Sequence, residues 1–203
     1  KEIADWLMWS NEIKDIIVVG ISYGQGMDAW WSRRARDYTH CNDTVTAKGW
    51  FKSTGGADNF LKFMKNELFP AINKNYRTNQ DSATIMGISF GGMLSSYVLF
   101  TQPELFNGYI IIAPPLSWNY KSIFKLETEY FSNHKELNKT VYIAYGTLDD
   151  KDWIINPTDE FIKNIKMHNY NGLNFVPQIF EGETHISVYS TALTNGLKTI
   201  FKR

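Results

Sequence analysis

The segment Gly87-Ile88-Ser89-Phe90-Gly91-Gly92 has the residue types that acyl transfer needs. A serine between glycines, after an apolar run and before an apolar helix, matches the G-x-S-x-G pattern of a nucleophile on a strand-to-helix turn. Such a turn strains the serine. Gly87 and Gly91 are read as giving it room to close, and Gly92 as letting the helix lie against the sheet. The helix start also puts the Phe90 N–H and a favourable dipole where an oxyanion would form. A serine hydroxyl is a poor nucleophile without a base. Among 4 histidines only His185 follows the last strand-like run, in Phe180-Glu181-Gly182-Glu183-Thr184-His185. His40, His134 and His168 fall in loop or helix-end contexts and read as ordinary solvated residues. The acid should follow the preceding strand, where Tyr145-Gly146-Thr147-Leu148-Asp149-Asp150 offers Asp149 and Asp150, with Asp152 close behind. One of them must accept the imidazole Nδ1–H; Asp149 is the first choice and Asp150 the alternative.

These residues need elements to position them. Residues 3–10 read as the end of an amphipathic helix, and Ile16-Ile17-Val18-Val19-Gly20-Ile21 as a strand buried on both faces of a parallel sheet. Residues 22–56 read as a long loop. The apolar positions Phe60, Leu61, Met64 and Leu68 predict a helix from Asp58, kinked by Pro70. Further strands are expected at Ala83–Ile88, Tyr109–Ala113, Thr140–Tyr145 and Asn174–Phe180, the last weakened by Pro177. Helices are expected at Phe90–Thr101, Asn156–Asn169 (with Asn156 as N-cap and Pro157 at N1) and Ser187–Phe201. Strands alternating with helices predict an α/β fold with a mostly parallel sheet.

The 203 residues are 43% hydrophobic and 21% charged, a globular composition. With 21 basic and 21 acidic residues the net charge is zero, so nothing draws the chain to nucleic acid or an anionic membrane. No apolar run approaches the roughly 20 residues that span a bilayer. Cys41 stands alone, which excludes an internal disulfide, and His40-Cys41 lacks the second ligand pair of a zinc site. Tyr23-Gly24-Gln25-Gly26 lacks a phosphate-loop lysine. Trp30-Trp31 and Trp50 either line an aromatic substrate groove or pack on the sheet flank. Trp118, beyond the strand after the elbow, has the better case for touching substrate.

Taken with their surroundings, these residues resemble the putative-esterase family of α/β-hydrolases, which includes the siderophore trilactone esterases. Ile17–Tyr23 is similar to that family's strand before the elbow. Arg34-Ala35-Arg36-Asp37-Tyr38-Thr39 resembles its R-x-R-D-Y-T-P segment, with His40 in place of the proline. Gly55-Gly56-Ala57-Asp58, Tyr76-Arg77-Thr78, the elbow, Pro103-Glu104-Leu105-Phe106 and Ala113-Pro114-Pro115-Leu116-Ser117-Trp118 continue the match in order. It is weakest over 120–138. The resemblance implies Ser89 as nucleophile, His185 as base and Asp149 as acid, where relatives often carry glutamate. It also implies that the Arg34/Arg36 segment lies near the site rim; with these, Tyr23 and Trp118 complete the candidate substrate contacts. For Arg36 the competing reading is a structural pair with Asp37.

In that family the second oxyanion donor follows a segment reading roughly Tyr-Leu-Leu-Asp-Gly, and nothing similar precedes Lys1. The expectation is one incomplete α/β-hydrolase domain over residues 1–203, lacking its first three strands. Its apolar edge at Ile16–Ile21 would then be open to self-association. A second donor would come from elsewhere or from the Ser22–Gly24 backbone. The expected function is hydrolysis of a small carboxylic ester through an acyl-enzyme, with no cofactor and no metal. A siderophore lactone, an acetylated sugar, a thioester and an aryl ester all remain candidate substrates. The alternative is a non-catalytic binding or assembly element on the same scaffold.

Overall fold

The computed structural model describes residues 1–24, 26–42, 51 and 53–203; Trp50 lies outside them. Four strands, β1 (Thr84–Ile88), β2 (Gly108–Ile112), β3 (Thr140–Gly146) and β4 (Asn174–Phe180), form one sheet in that order, and each neighbouring pair is parallel. The helices are α1 (Glu2–Trp9), α2 (Met27–Tyr38), α3 (Ala57–Phe63), α4 (Phe69–Asn75), α5 (Phe90–Thr101), α6 (Trp118–Asn133), α7 (Asn156–His168) and α8 (Val188–Ile200). β2 is Gly-Tyr-Ile-Ile-Ile and wholly buried, as a strand covered on both faces must be. On one face Gly196 lets α8 approach Ile110 and Tyr142; an added Cβ would meet them at 2.7 and 3.0 Å. On the other face the Tyr145 hydroxyl donates to Asp159 of α7, and Phe100 of α5 packs on Phe161. Pro177 sits in β4, at the sheet edge, where a missing N–H is tolerated.

Four parts of the expected fold are corrected. The run Ile16–Ile21 forms no strand and enters no sheet, and Ile17, Val18 and Val19 are 47%, 50% and 44% exposed. Its β-branched residues suit a strand, yet a strand exists only through a partner's backbone groups, and no described residue supplies them. Among the described residues β1 and β4 are the two end strands of the sheet, with Met86 and Ile179 exposed on them. The expected loop over 22–56 contains α2, hidden in the sequence because its buried positions are Arg34, Ala35 and Asp37 rather than aliphatics. The helix from Asp58 begins one residue earlier and passes Pro70 through a wide π turn at Met64–Leu68 before α4. Asn156 lies inside the helical run rather than capping it, because Asp150 caps the preceding π turn.

Helix α6 was not anticipated. It opens with a left-handed turn at Asn119, Tyr120 and Lys121 (φ 45, 55 and 58°) before turning right-handed. Each such L-residue costs about 1–2 kcal/mol, so neighbours must hold the turn. Further along, Glu127 is 1% exposed and accepts from the Tyr170 hydroxyl and from His168 Nδ1, both at 2.7 Å. His168 is thus no solvated residue: its ring stacks on Phe131 at 4.0 Å and fastens α6 to the end of α7. Glu127→Ala strands both partners and is expected to cost about 3 kcal/mol, read as a lower urea midpoint.

Candidate active site

The parallel register puts the carboxyl ends of all four strands on one side of the sheet, and the chemistry-bearing residues leave from those ends. Ser89 joins β1 to α5 with φ 58° and ψ −125°. This is a strained backbone for a residue with a Cβ, at about 1–3 kcal/mol. Its N–H donates to Ile112 O at 2.9 Å, and its carbonyl accepts from Met93 N–H at 3.0 Å, which pins the turn. Gly87 is indispensable, since a Cβ there would sit 2.1 Å from the Gly91 carbonyl carbon. Gly92 is tight against Ile112 O at 2.9 Å. A Cβ on Gly91 would meet open space, so the room attributed to Gly91 is needed at Gly87 alone. No hydrogen bond among the described residues uses the Phe90 N–H, which is free at the start of α5.

Beyond β3, Asp149 is 3% exposed at its side chain and its Oδ2 lies 2.9 Å from His185 Nδ1. Its Oδ1 accepts the Asp150 N–H at 2.7 Å, fixing the carboxylate plane. Asp150 instead caps the following turn, accepting from Asp152 and Trp153 N–H at 2.9 and 2.8 Å. Of the two aspartates it is Asp149 that meets His185, while Asp150 is engaged by the turn. An Nδ1–H held by Asp149 leaves the His185 Nε2 lone pair available. No hydrogen bond joins Ser89 Oγ to His185 among the described contacts; such bonds commonly tighten only when substrate arrives. The loop carrying His185 is tied to the Asp149 turn by Leu148 N–H to Glu183 O and Gly182 N–H to Thr147 Oγ1, both 2.9 Å.

Gly146 makes that tie possible, because a Cβ on it would lie 2.2 Å from Glu183 O. Gly146→Ala must push the His185 loop away. A misplacement of about 1 Å is expected to lower kcat about 10²-fold, measured with a chromogenic aryl ester.

The four candidate substrate contacts divide. Trp118 is only 1% exposed and packs on Phe90, Phe51 and Trp153 with ring centroids 5.4, 6.4 and 6.4 Å apart. It forms a wall behind the elbow and does not line an open groove. Arg36 pairs with Asp37 through two hydrogen bonds of 2.6 and 2.8 Å, as the structural reading expected, although half its side chain stays exposed. Arg34 is 9% exposed, with its guanidinium 4.4 Å from the Trp30 ring and 5.4 Å from that of Tyr38. Trp30 and Trp31 thus pack as a cation–π box, and burial holds the Arg34 pKa below its usual value. The Tyr23 hydroxyl is buried beside Tyr38 and Asp37, which raises its pKa strongly through desolvation first. Depressions of about 420 Å³ along α6 and about 410 Å³ below β2 and β3 do not include Ser89. No cluster of metal-ligating side chains occurs among the described residues, and no helix there is long and apolar enough to cross a membrane.

Residues 1–199 match the family described as Putative esterase. The chain belongs to that family. Among its relatives is the ferri-bacillibactin esterase BesA of Bacillus subtilis, 29% identical over 192 residues, covering 90% of this chain and 66% of the relative. Similar solved structures include the BES protein from Bacillus cereus, with a TM-score of 0.86 and 29% identity over 100% of this chain and 76% of the other. The IroE-like serine hydrolase from Shewanella oneidensis has a TM-score of 0.74 and 26% identity over 83% and 56% of the two chains. The chain spans about two thirds or less of the length of the curated relatives it matches. The helix-flanked parallel sheet is of the α/β-hydrolase type that these family members share.

Proposed function

We propose that this chain carries the acyl-transfer machinery of a serine carboxylic-ester hydrolase. The observation that carries the reading is the buried Asp149 carboxylate 2.9 Å from His185 Nδ1, on the side of the sheet where Ser89 stands on its strained turn. Ser89 Oγ attacks the ester carbonyl while His185 Nε2 takes its proton; Asp149 fixes the tautomer and stabilises the imidazolium. The Phe90 N–H receives the oxyanion, His185 returns the proton to the departing alkoxide, and water releases the acyl group by the same steps. The second oxyanion donor comes from outside the Ser89–Phe90 turn. The proposed substrates are siderophore-type esters and lactones, supported by the names of the relatives BesA and the triacetylfusarinine C esterase of Aspergillus fumigatus. Arg36, with Tyr23 and Arg34 behind it, forms the proposed substrate rim. A fluorophosphonate probe tests the reading: labelling of the wild type that is lost in Ser89→Ala supports it, and absence of wild-type labelling overturns it.

Two observations favour a second reading, an assembly element that needs another strand. Ile17, Val18 and Val19 lie exposed, and β1 has a free edge. In that case labelling fails for the chain alone, and size-exclusion chromatography shows concentration-dependent self-association.

A further inference from the structure

His40 stands where the resembling family has proline, and it is not the solvated loop residue its sequence context suggests. Its ring stacks on Tyr97 of α5 with centroids 5.0 Å apart and planes 16° apart. The Tyr97 hydroxyl in turn donates to Asp58 at 2.7 Å. Burial drives the His40 pKa down to about 4 against a smaller opposing pull from Asp58, so the imidazole is neutral. Its Nε2 lies 2.6 Å from Ser122 Oγ, whereas Nδ1 is buried without a partner. A bare acceptor nitrogen costs less in such a place than a bare N–H, so the proton belongs on Nε2 and is donated to Ser122. The Ser122 hydroxyl is then free to donate to Trp118 O at 3.2 Å, with Cys41 Sγ 3.7 Å away.

This chain of bonds spans the strained turn at Asn119–Lys121. Trp118 and Ser122 bracket that turn, and both are tied to the segment 40–41: Ser122 by His40, and Trp118 by Nε1–H to Cys41 O at 3.3 Å. Trp118 packs edge-on against Phe90, the residue whose N–H faces the proposed oxyanion. We infer that His40 and Ser122 are positioning residues that hold the left-handed turn and, through Trp118, seat Phe90 for oxyanion binding. This rests on the esterase reading above; a right-handed relaxation of the turn would withdraw the Trp118 wall from Phe90.

The test compares Ser122→Ala, which removes only the hydroxyl, His40→Phe, which keeps a ring on Tyr97, the double variant, and the conservative Ser122→Thr. The readouts are the fluorophosphonate labelling rate, kcat and KM for an aryl ester, and the near-UV circular dichroism of the tryptophans. Each of the two disruptive single variants is expected to slow labelling and lower kcat by about 10- to 100-fold with KM nearly unchanged, the scale of a misplacement of up to about 1 Å. The double variant should be no slower than the slower single one, because both cut the same chain. Ser122→Thr should restore most of the rate. Unchanged rates, multiplying effects or failure of Ser122→Thr to rescue would overturn the inference. If wild type is not labelled, the esterase reading falls separately. The dichroism then decides: the same tryptophan change in both singles and in the double upholds the coupling, and independent changes overturn it.

Discussion

Ser89→Ala is expected to lower kcat by about 10⁶-fold and to abolish fluorophosphonate labelling, because in the proposed mechanism Ser89 is the group that forms the acyl-enzyme. The serine is held by Ile112 O and Met93 N–H through backbone bonds alone, so the substitution leaves the turn in place. Activity and stability can therefore be separated here. Ser89→Gly is equally inactive but relieves a φ of 58°, and it should raise the free energy of unfolding by about 1 kcal/mol. A thermal melt that moves up as activity vanishes would identify the serine as a residue kept strained for its chemistry. Residual labelling in Ser89→Ala would mean that another nucleophile reacts.

Asp149→Asn is expected to be the next most damaging change, lowering kcat by about 10⁴-fold with the fold intact. The asparagine keeps the size of the side chain and can still accept the Asp150 N–H. It turns an amide donor or a neutral oxygen toward His185 Nδ1, which leaves the wrong tautomer favoured and the imidazolium unsupported. Asp150→Asn is the built-in comparison: asparagine is as good a helix cap as aspartate, so activity should stay near wild type. Equal losses in the two variants would show that the acid had been assigned to the wrong residue. Both are measured as steady-state kcat on the same aryl ester.

Much of this site was legible from the chain alone, for physical reasons that are local. The elbow is a contiguous segment in which β1 ends, Ser89 turns and α5 begins, so residue type and order carry the geometry. The pairing of His185 with Asp149 was legible because each follows an expected strand, the one before Asp149 strongly apolar and the one before His185 weakened by Pro177, and parallel strands deliver their ends to one side. Helix α2 was not legible, since its buried face carries Arg34 and Asp37, whose burial depends on the aromatic rings and ion pair around them. The solvated reading of His40 and His168 failed similarly: Tyr97 and Ser122, Glu127 and Phe131 are distant in sequence and near only in space.

The run Ile16–Ile21 marks the boundary most clearly. Its sequence alone determined an extended, strand-capable segment, because β-branched side chains favour that backbone. Whether it pairs depends on a neighbour's N–H and C=O groups, and in the tertiary structure it lies outside the sheet with Ile17, Val18 and Val19 exposed. The same division applies at the active site. Sequence determined the candidates proposed as nucleophile, base and acid, because such candidacy rests on side-chain chemistry. Only the tertiary structure decided that Asp149 faces His185 while Asp150 caps a turn, and that Trp118 is a buried wall, because direction and burial are properties of packing.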